Sequence, residues 1–383
     1  MSQPQPRSAI VTSAYRRAGE TFVNHHVEHL FGGNTVAVAI RKGADWTGDR
    51  PVFILNDTKP GSLDRIAAPL AQLDGLIRHG SPGMPARRQA TELGRFLTEQ
   101  KVAAVLCEFG NRAVQVAPTV NALGLPLFTY FRGFDGSKLL HEPHYPRAYR
   151  KLMPRLAGVF AVSQFLLDNL ASKGITHPNA HVVPSGADTA RFAPGVKEPG
   201  YVVAIGRMVE KKQPLTTLRA FIAAAKANPD TRFEMIGGGE LLEPCREEVA
   251  AAGLKDRIAL PGALPHADVA DRLSRATIFA QHSVTGADGN TEGLPSVIQE
   301  AMACGCAVVS TRHAGIPEAV REDETGLLVD EHDEAGYAAA LQELLASPGR
   351  TDEMGKAGRA FALAHLDKSK LTARIEELMR AAL

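Results

Sequence analysis

The stretch "FAPGVKEPGYVVAIG", Phe192 to Gly206, decides how the chain divides. Two prolines and two glycines between Phe192 and Tyr201 mark a linker, and a short apolar run, Tyr201 to Gly206, starts at once behind it. Runs of the same kind lie on both sides. Before the linker stand Ala9–Ala14, Thr35–Ile40, Val102–Cys107, Pro126–Phe131 and Gly158–Ser163; after it come Arg232–Gly237, Thr277–His282 and Ala307–Thr311. All are continuously apolar rather than alternating, as parallel strands covered on both faces should be. Between them lie helical patterns such as "PLTTLRAFIAAAKAN", where Leu215, Leu218, Phe221, Ile222 and Ala225 share one face behind Pro214. This alternation gives an α/β fold of two doubly wound, Rossmann-like domains. We read residues 1–193 as the first, 194–365 as the second, and 366–383 as a C-terminal helix that could pack back on the first. Parallel sheets bind ligands beyond the C-terminal ends of their strands, so a cleft between the two domains is the expected site.

Composition narrows the partners. The chain has 383 residues, 44% hydrophobic and 22% charged, which is ordinary for a globular protein. Its 43 lysines and arginines nearly cancel its 42 aspartates and glutamates, which gives no electrostatic case for nucleic acid. Any anion must then be held by local groups. The four cysteines, Cys107, Cys245, Cys304 and Cys306, form no Cys-x-x-Cys and no zinc spacing, and they fit a reducing cytosol. No signal-peptide pattern opens the chain and no apolar run approaches the ~20 residues of a membrane span. A cytoplasmic protein is expected, with room for peripheral contact at a membrane face. The oligomeric state leaves no signature in the sequence.

The chemistry concentrates in "GNTEGLPSVIQEAMACGCAVVST", Gly289 to Thr311. Pro295 suits the first position of a helix that Gly305 would end. Eight steps of ~1.5 Å would separate Glu292 from Glu300 by ~12 Å, too far for the paired carboxylates of a glycosidase. The segment does offer a helix N-terminus near Ser296 and Val297, which attracts phosphate. Spacing alone leaves the two glutamates equally readable as ordinary helix charges. In "AIGRMVEKKQP", Arg207 follows a strand directly and Lys212 precedes a helix, a pair of cations that could clamp a diphosphate. Lys211 reads as a solvated loop residue. "MIGGGE" lacks the dinucleotide fingerprint and reads as a tight strand-to-helix turn. Gly19, ahead of a helix in "YRRAGETFVNHHVEHL", would let backbone approach a phosphate. In "YFRGFDGSK", Arg132 and Asp135 follow a strand where an acceptor would stand, although Asp135 could simply cap a turn. The basic run "HYPRAYRKLMPRLAG" reads as a solvated helix face, with an anionic lipid or diphosphate acceptor as the alternative. No Asp-x-Asp occurs, so no metal site is expected.

Taken together, "GRMVEKK", "EGLPSVIQEAMACGCAVVST", "AGIPEAV", "TGLLV", "VFAVSQFLLDNLASKG" and "HVVPSGADTARFAP" resemble the family 4 glycosyltransferases, retaining enzymes of the GT-B fold. "GETFV" and "STRHAGIPEAV" lean towards the branch that builds bacterial exopolysaccharides. The resemblance implies a hexosyltransferase that needs no cofactor or metal. Its donor would be a nucleotide-diphosphate sugar, and its acceptor a saccharide or polyprenyl-linked molecule. It implies that Arg207 and Lys212 hold the diphosphate, with backbone at Gly19, Gly293, Leu294, Ser296 and Val297 around the donor. Glu300 would take the ribose hydroxyls, Leu264 would face the base, and Glu292 would meet the transferred sugar. Where many relatives carry His-Gly-x-Asp, this chain has Arg132-Gly133-Phe134-Asp135, and it has Glu108 in a place where relatives often have histidine. Guanidinium cannot act as a base, so Arg132 is expected to bind an acidic acceptor or donor group instead. The rival readings are a nucleotide-sugar epimerase, a phosphorylase for which no pyridoxal lysine can be placed, and a catalytically inactive module that binds a nucleotide sugar or a partner.

Overall fold

A computed structural model describes residues 5–16, 20–43, 50–59, 61 and 68–383. Gly19, a candidate phosphate contact, lies outside the described residues. The chain forms two compact units, Met1–Val183 with Thr372–Leu383, and Pro184–Leu371.

The first unit is built on a parallel sheet of β1 (Ser8–Tyr15), β2 (Thr35–Lys42), β3 (Val52–Ile54), β4 (Ala104–Glu108), β5 (Leu127–Phe131), β6 (Gly158–Ala161) and β7 (Ala180–Val182). Its spatial order is β3-β2-β1-β4-β5-β6-β7. The second unit repeats the plan with β8 (Tyr201–Ile205), β9 (Arg232–Ile236), β10 (Ile258–Gly262), β11 (Ile278–Ala280), β12 (Ala307–Thr311) and β13 (Gly326–Val329), ordered β10-β9-β8-β11-β12-β13. In each sheet the order reverses beside the first strand, between β1 and β4 and between β8 and β11. These are the topological switch points where doubly wound folds bind ligands.

The apolar runs form central strands because both faces are covered. Every residue of β4, β5 and β12 is buried. In the second unit, Phe221 of the Pro214–Ala227 helix stacks on Phe233 of β9, with ring centroids 4.4 Å apart. Burying such a side chain contributes roughly 1.5–3 kcal/mol. The strands absent from the apolar reading, β3, β7, β10 and β13, are short or lie at sheet edges. β10 carries Pro261 and is exposed at Ala259 and Pro261, which an edge position tolerates.

The second unit begins at Pro184, earlier than the 194 read from the linker. The cause is local hydrogen bonding. Ala187 N–H donates to the Leu366 carbonyl, the Ala187 carbonyl accepts from Lys368 N–H, the Gly186 amide donates to Gln299 Oε1 at 2.8 Å, and Arg359 caps the Phe192 carbonyl. The last helix, Lys368–Arg380, groups with the first unit from Thr372 onward. There Glu376 accepts from the Phe31 amide at 2.7 Å and Arg380 stacks over the Phe31 ring.

Candidate functional site

The second unit's switch point gathers three loops. After β8, the chain runs through Gly206 and Arg207 into a short turn, Glu210–Lys212, and then into the helix that Pro214 opens. Gly237 and Gly239 let the loop after β9 lie against it. A side chain at Gly237 would strike the Gly206 carbonyl at 1.8 Å, and one at Gly239 would strike the Met208 carbonyl at 2.4 Å. This accounts for "GGG" as a close backbone approach rather than a dinucleotide fingerprint.

After β11, the segment up to Pro295 carries Glu292 to this point. Lys211 Nζ lies 3.0 Å and Lys212 Nζ 3.3 Å from Glu292 Oε1. The lysine side chains are only 13% exposed and the glutamate 15%, so the contact is shielded from water and salt. Gln281, with its amide oxygen turned inward, accepts from Lys212 Nζ at 3.0 Å and from Ser283 Oγ at 2.8 Å, and donates to the Ile205 carbonyl. Burial pushes the Glu292 carboxyl up, but Lys212 and then Lys211 outweigh it and hold the group down at about 2. Lys212 is lowered, first by burial and then by the like charges of Lys211 and Arg207, against the pull of Glu292. Lys211 and Lys212 thus share one carboxylate, which leaves positive charge in surplus at this contact. Such a local excess is what an anion would need in a chain of net charge +1.

Behind Glu292, Pro295 caps the helix Ser296–Ala303, so the amides of Ser296 and Val297 head it, and Gly305 (φ 73°) ends it. Gly293 and Leu294, both buried, join Glu292 to this helix. Glu300, farther along and 5% exposed, has Oε1 3.4 Å from His266 Nε2. His266 opens the helix after Leu264 and Pro265, and its ring packs edge-on against buried Phe192 at 5.2 Å. Leu264 is half-buried beside this pair. Glu292 and Glu300 therefore occupy two different contact sets, one of lysines and one of histidine, the first ahead of the helix and the second inside it. Arg207 is exposed at the end of β8.

Lys211, read from sequence as solvated, belongs to the site and also reaches Asn290 Oδ1 at 3.5 Å. Nothing in the sequence marks His266, Gln281 or His313 as site residues. Single polar residues far apart in sequence carry no pattern until the sheet brings their loops together.

In the first unit Arg132 and Asp135 both make internal contacts. Arg132 does not face outward to meet an acidic group. Its Nη2 and Nε donate to Glu108 Oε2 at 2.6 and 3.0 Å, its guanidinium lies 3.5 Å from the Tyr130 ring centroid and 4.3 Å from that of Phe22, and its side chain is 5% exposed. His26 Nδ1 contacts the other Glu108 oxygen. Burial raises the Glu108 carboxyl, yet Arg132 and His26 bring it net below the usual range. Asp135 is fully buried and accepts from the amides of Gly110, Arg132 and Gly133 at 2.7, 2.9 and 3.3 Å; burial pushes its carboxyl up. Both residues hold the loops after β4 and β5 in place. Phe109, in the loop between, sits at φ 97°, a strained conformation that this scaffold maintains.

Residues 187–361 match the family model "Glycosyl transferases group 1". Among curated proteins, the chain is 32% identical over 266 residues to WcaL of Escherichia coli, named for colanic acid biosynthesis, covering 68% of this chain and 64% of that one. It is 33% identical over 210 residues to a GDP-mannose-dependent phosphatidylinositol monomannoside mannosyltransferase of Mycolicibacterium smegmatis, covering 51% and 55%. The chain thus spans rather less than two thirds of these two relatives. It spans 90% of the amylovoran biosynthesis glycosyltransferase AmsK of Erwinia amylovora, at 28% identity and over 89% of its own length. Among solved structures, HepE of Anabaena in complex with UDP superposes with a TM-score of 0.77 at 16% identity, over 98% of this chain and all of that one. Sucrose-phosphate synthase of Thermosynechococcus elongatus gives 0.72 at 15% identity, over 99% of each chain. At such identities the likeness speaks for fold alone. The chain has the GT-B architecture of two Rossmann-like units, and its second unit carries the group 1 glycosyl transferase match.

Proposed function

We propose that this chain is a retaining, metal-independent hexosyltransferase of family 4. It would move a sugar from a nucleoside diphosphate to a saccharide or polyprenyl-linked acceptor in polysaccharide biosynthesis. The observation that carries this reading is the cluster of Lys211, Lys212 and Glu292 at the switch point, with positive charge in surplus beside a helix N-terminus. The names of WcaL and AmsK support the polysaccharide context, and the GDP-mannose-dependent mannosyltransferase supports the donor class.

Each residue then has a task. Lys211, Lys212 and Arg207 receive the diphosphate with the Ser296 and Val297 amides, and they stabilise the charge it gains as it leaves. These fixed cations supply what a divalent ion would otherwise supply. Glu300 accepts from the ribose hydroxyls, and Leu264 lies against the base. Glu292, ionised far below neutral pH, can only accept hydrogen bonds; it takes those of the sugar hydroxyls and is no general acid. The bond from the anomeric carbon to the phosphate oxygen breaks with its electron pair going to the diphosphate. The acceptor oxygen bonds to the same face, and its proton passes to that departing phosphate oxygen. Peripheral membrane contact would use Leu70, Leu73 and Ile77, all exposed on one side of the helix Ala68–His79 next to exposed Arg78. Among the described residues no helix is long and apolar enough to cross a membrane.

The test is a panel of nucleoside-diphosphate sugars with EDTA present, reading release of UDP or GDP. Glu292→Gln should cut turnover about 10²-fold, a larger change than in nucleotide affinity, because it removes the acceptor of the sugar hydroxyls. Normal turnover in Glu292→Gln would overturn the assignment.

A further inference from the structure

Glu292 is held not only through its carboxylate. Its backbone N–H donates to Nε2 of His313, a residue 1% exposed, at 3.0 Å. The other ring nitrogen, Nδ1, lies 2.6 Å from Glu331 Oε1. Glu331 is itself fixed, accepting from the Thr285 amide at 2.8 Å and the Thr285 hydroxyl at 3.3 Å. Since an amide can only donate, Nε2 must be the acceptor, and Nδ1 must carry the proton it gives to Glu331. Burial favours the neutral ring, pulling the imidazole below its ordinary range despite Glu331. Two residues on, the Gly315 amide donates to the Gly293 carbonyl at 2.9 Å. Ala314 between them sits at φ 49°, a left-handed conformation that lets the turn present both contacts to the Glu292–Gly293 pair.

We propose that His313, oriented by Glu331, is a positioning residue for Glu292: as a neutral Nδ1–H imidazole it fixes the backbone from which that carboxylate reaches the lysines and the transferred sugar. The inference rests on the role given to Glu292 above. It gives a purpose to "STRHAGIPEAV", and it ties the loops after β11, β12 and β13 into one device. Misplacement of a reacting or orienting group by about 1 Å can cost about 10²-fold in rate, so the grip on this backbone has catalytic weight.

The experiment compares wild type, His313→Ala and His313→Gln, because a glutamine oxygen can reach where Nε2 stood. Turnover with the active donor should fall about 10²-fold in H313A and recover in large part in H313Q. Affinity for the free nucleoside diphosphate should stay unchanged in both. Exchange of the Glu292 amide, followed by deuterium labelling, should quicken in H313A and slow again in H313Q. Nitrogen-15 spectra at neutral pH should show His313 as the Nδ1–H tautomer. Wild-type turnover in H313A, equal losses in both variants, nucleotide affinity falling in step with turnover, or a cationic or Nε2–H ring would each overturn the proposal. The exchange and spectral readouts need no donor. They keep the test separate from the glycosyltransferase reading, which fails instead if wild type releases nucleotide from no sugar donor.

Discussion

Each unit of this protein buries an acid–base cluster at the switch point of a parallel sheet, and the two clusters are built to opposite ends. In the first, Glu108 is matched by Arg132 through two hydrogen bonds, with aromatic rings against the guanidinium and His26 on the remaining oxygen. In the second, Glu292 faces two lysines on one oxygen, with Arg207 near and a helix N-terminus behind. The first is charge-balanced and satisfied from within, so it serves as scaffold. The second is over-supplied with positive charge, the arrangement that the proposed diphosphate would complete. Balance of charge, rather than burial or proximity, separates a structural ion pair from a binding site.

The contrast can be broken by variants, and the largest effect should come from the scaffold. Arg132→Met leaves Glu108 buried without its main partner, and should cost the first unit about 3–5 kcal/mol, since stranding one charge of a buried pair is severe. Denaturant unfolding should show that loss, while nucleotide affinity stays at the wild-type level. An unchanged midpoint would mean that Arg132 is not the structural element its contacts describe. Lys212→Ala should do the reverse, weakening nucleoside diphosphate binding by about 1.5–3 kcal/mol, the usual worth of a hydrogen bond to a charged group. Calorimetric titration measures it.

Next comes pH. The Glu292 carboxyl is held at about 2 against an ordinary value of 4.5. Its folded value is depressed, so its contribution to stability is full above about 4.5 and disappears as pH falls towards 2. The stability gap between wild type and Glu292→Gln, followed by denaturant unfolding from pH 6 downward, should close across that window. A gap independent of pH would show that the lysines do not hold the ionised form. The smallest effect belongs to Ala314, whose left-handed conformation suits glycine. Ala314→Gly should change stability by less than about 1 kcal/mol, the relief of strain being partly offset by the freedom glycine adds to the unfolded chain.

Much of this was legible in the sequence. The central strands were readable because burial on both faces writes a continuous apolar run, as in "AVVST". Edge strands such as β10 were not, because a half-exposed strand can carry Pro261 and keep no pattern. Glu292 and the helix head are legible because Pro295 and Gly305 bound a helix from sequence alone, and Lys212 because it stands between a strand and the helix that Pro214 opens. Lys211 was misjudged because "EKK" is what a solvated loop also looks like. The contacts of Arg132 are hidden from the sequence for a related reason. Its partner Glu108 lies on a neighbouring strand, and only the β4–β5 register, which pairs Glu108 with Tyr130, brings the two together. Asp135 had two readings, and the buried one, a carboxylate accepting three backbone amides, is the one the fold uses.

The central claim is that the surplus cations of the second unit bind a nucleoside diphosphate while the balanced pair of the first does not. Titrating UDP and GDP in EDTA into wild type, the Lys211→Ala/Lys212→Ala double variant and Arg132→Met measures this directly. One of the two nucleotides should bind wild type and Arg132→Met with equal affinity and the double lysine variant at least 10²-fold more weakly. Equal affinity in wild type and the double lysine variant, or no binding to wild type by either nucleotide, would contradict it.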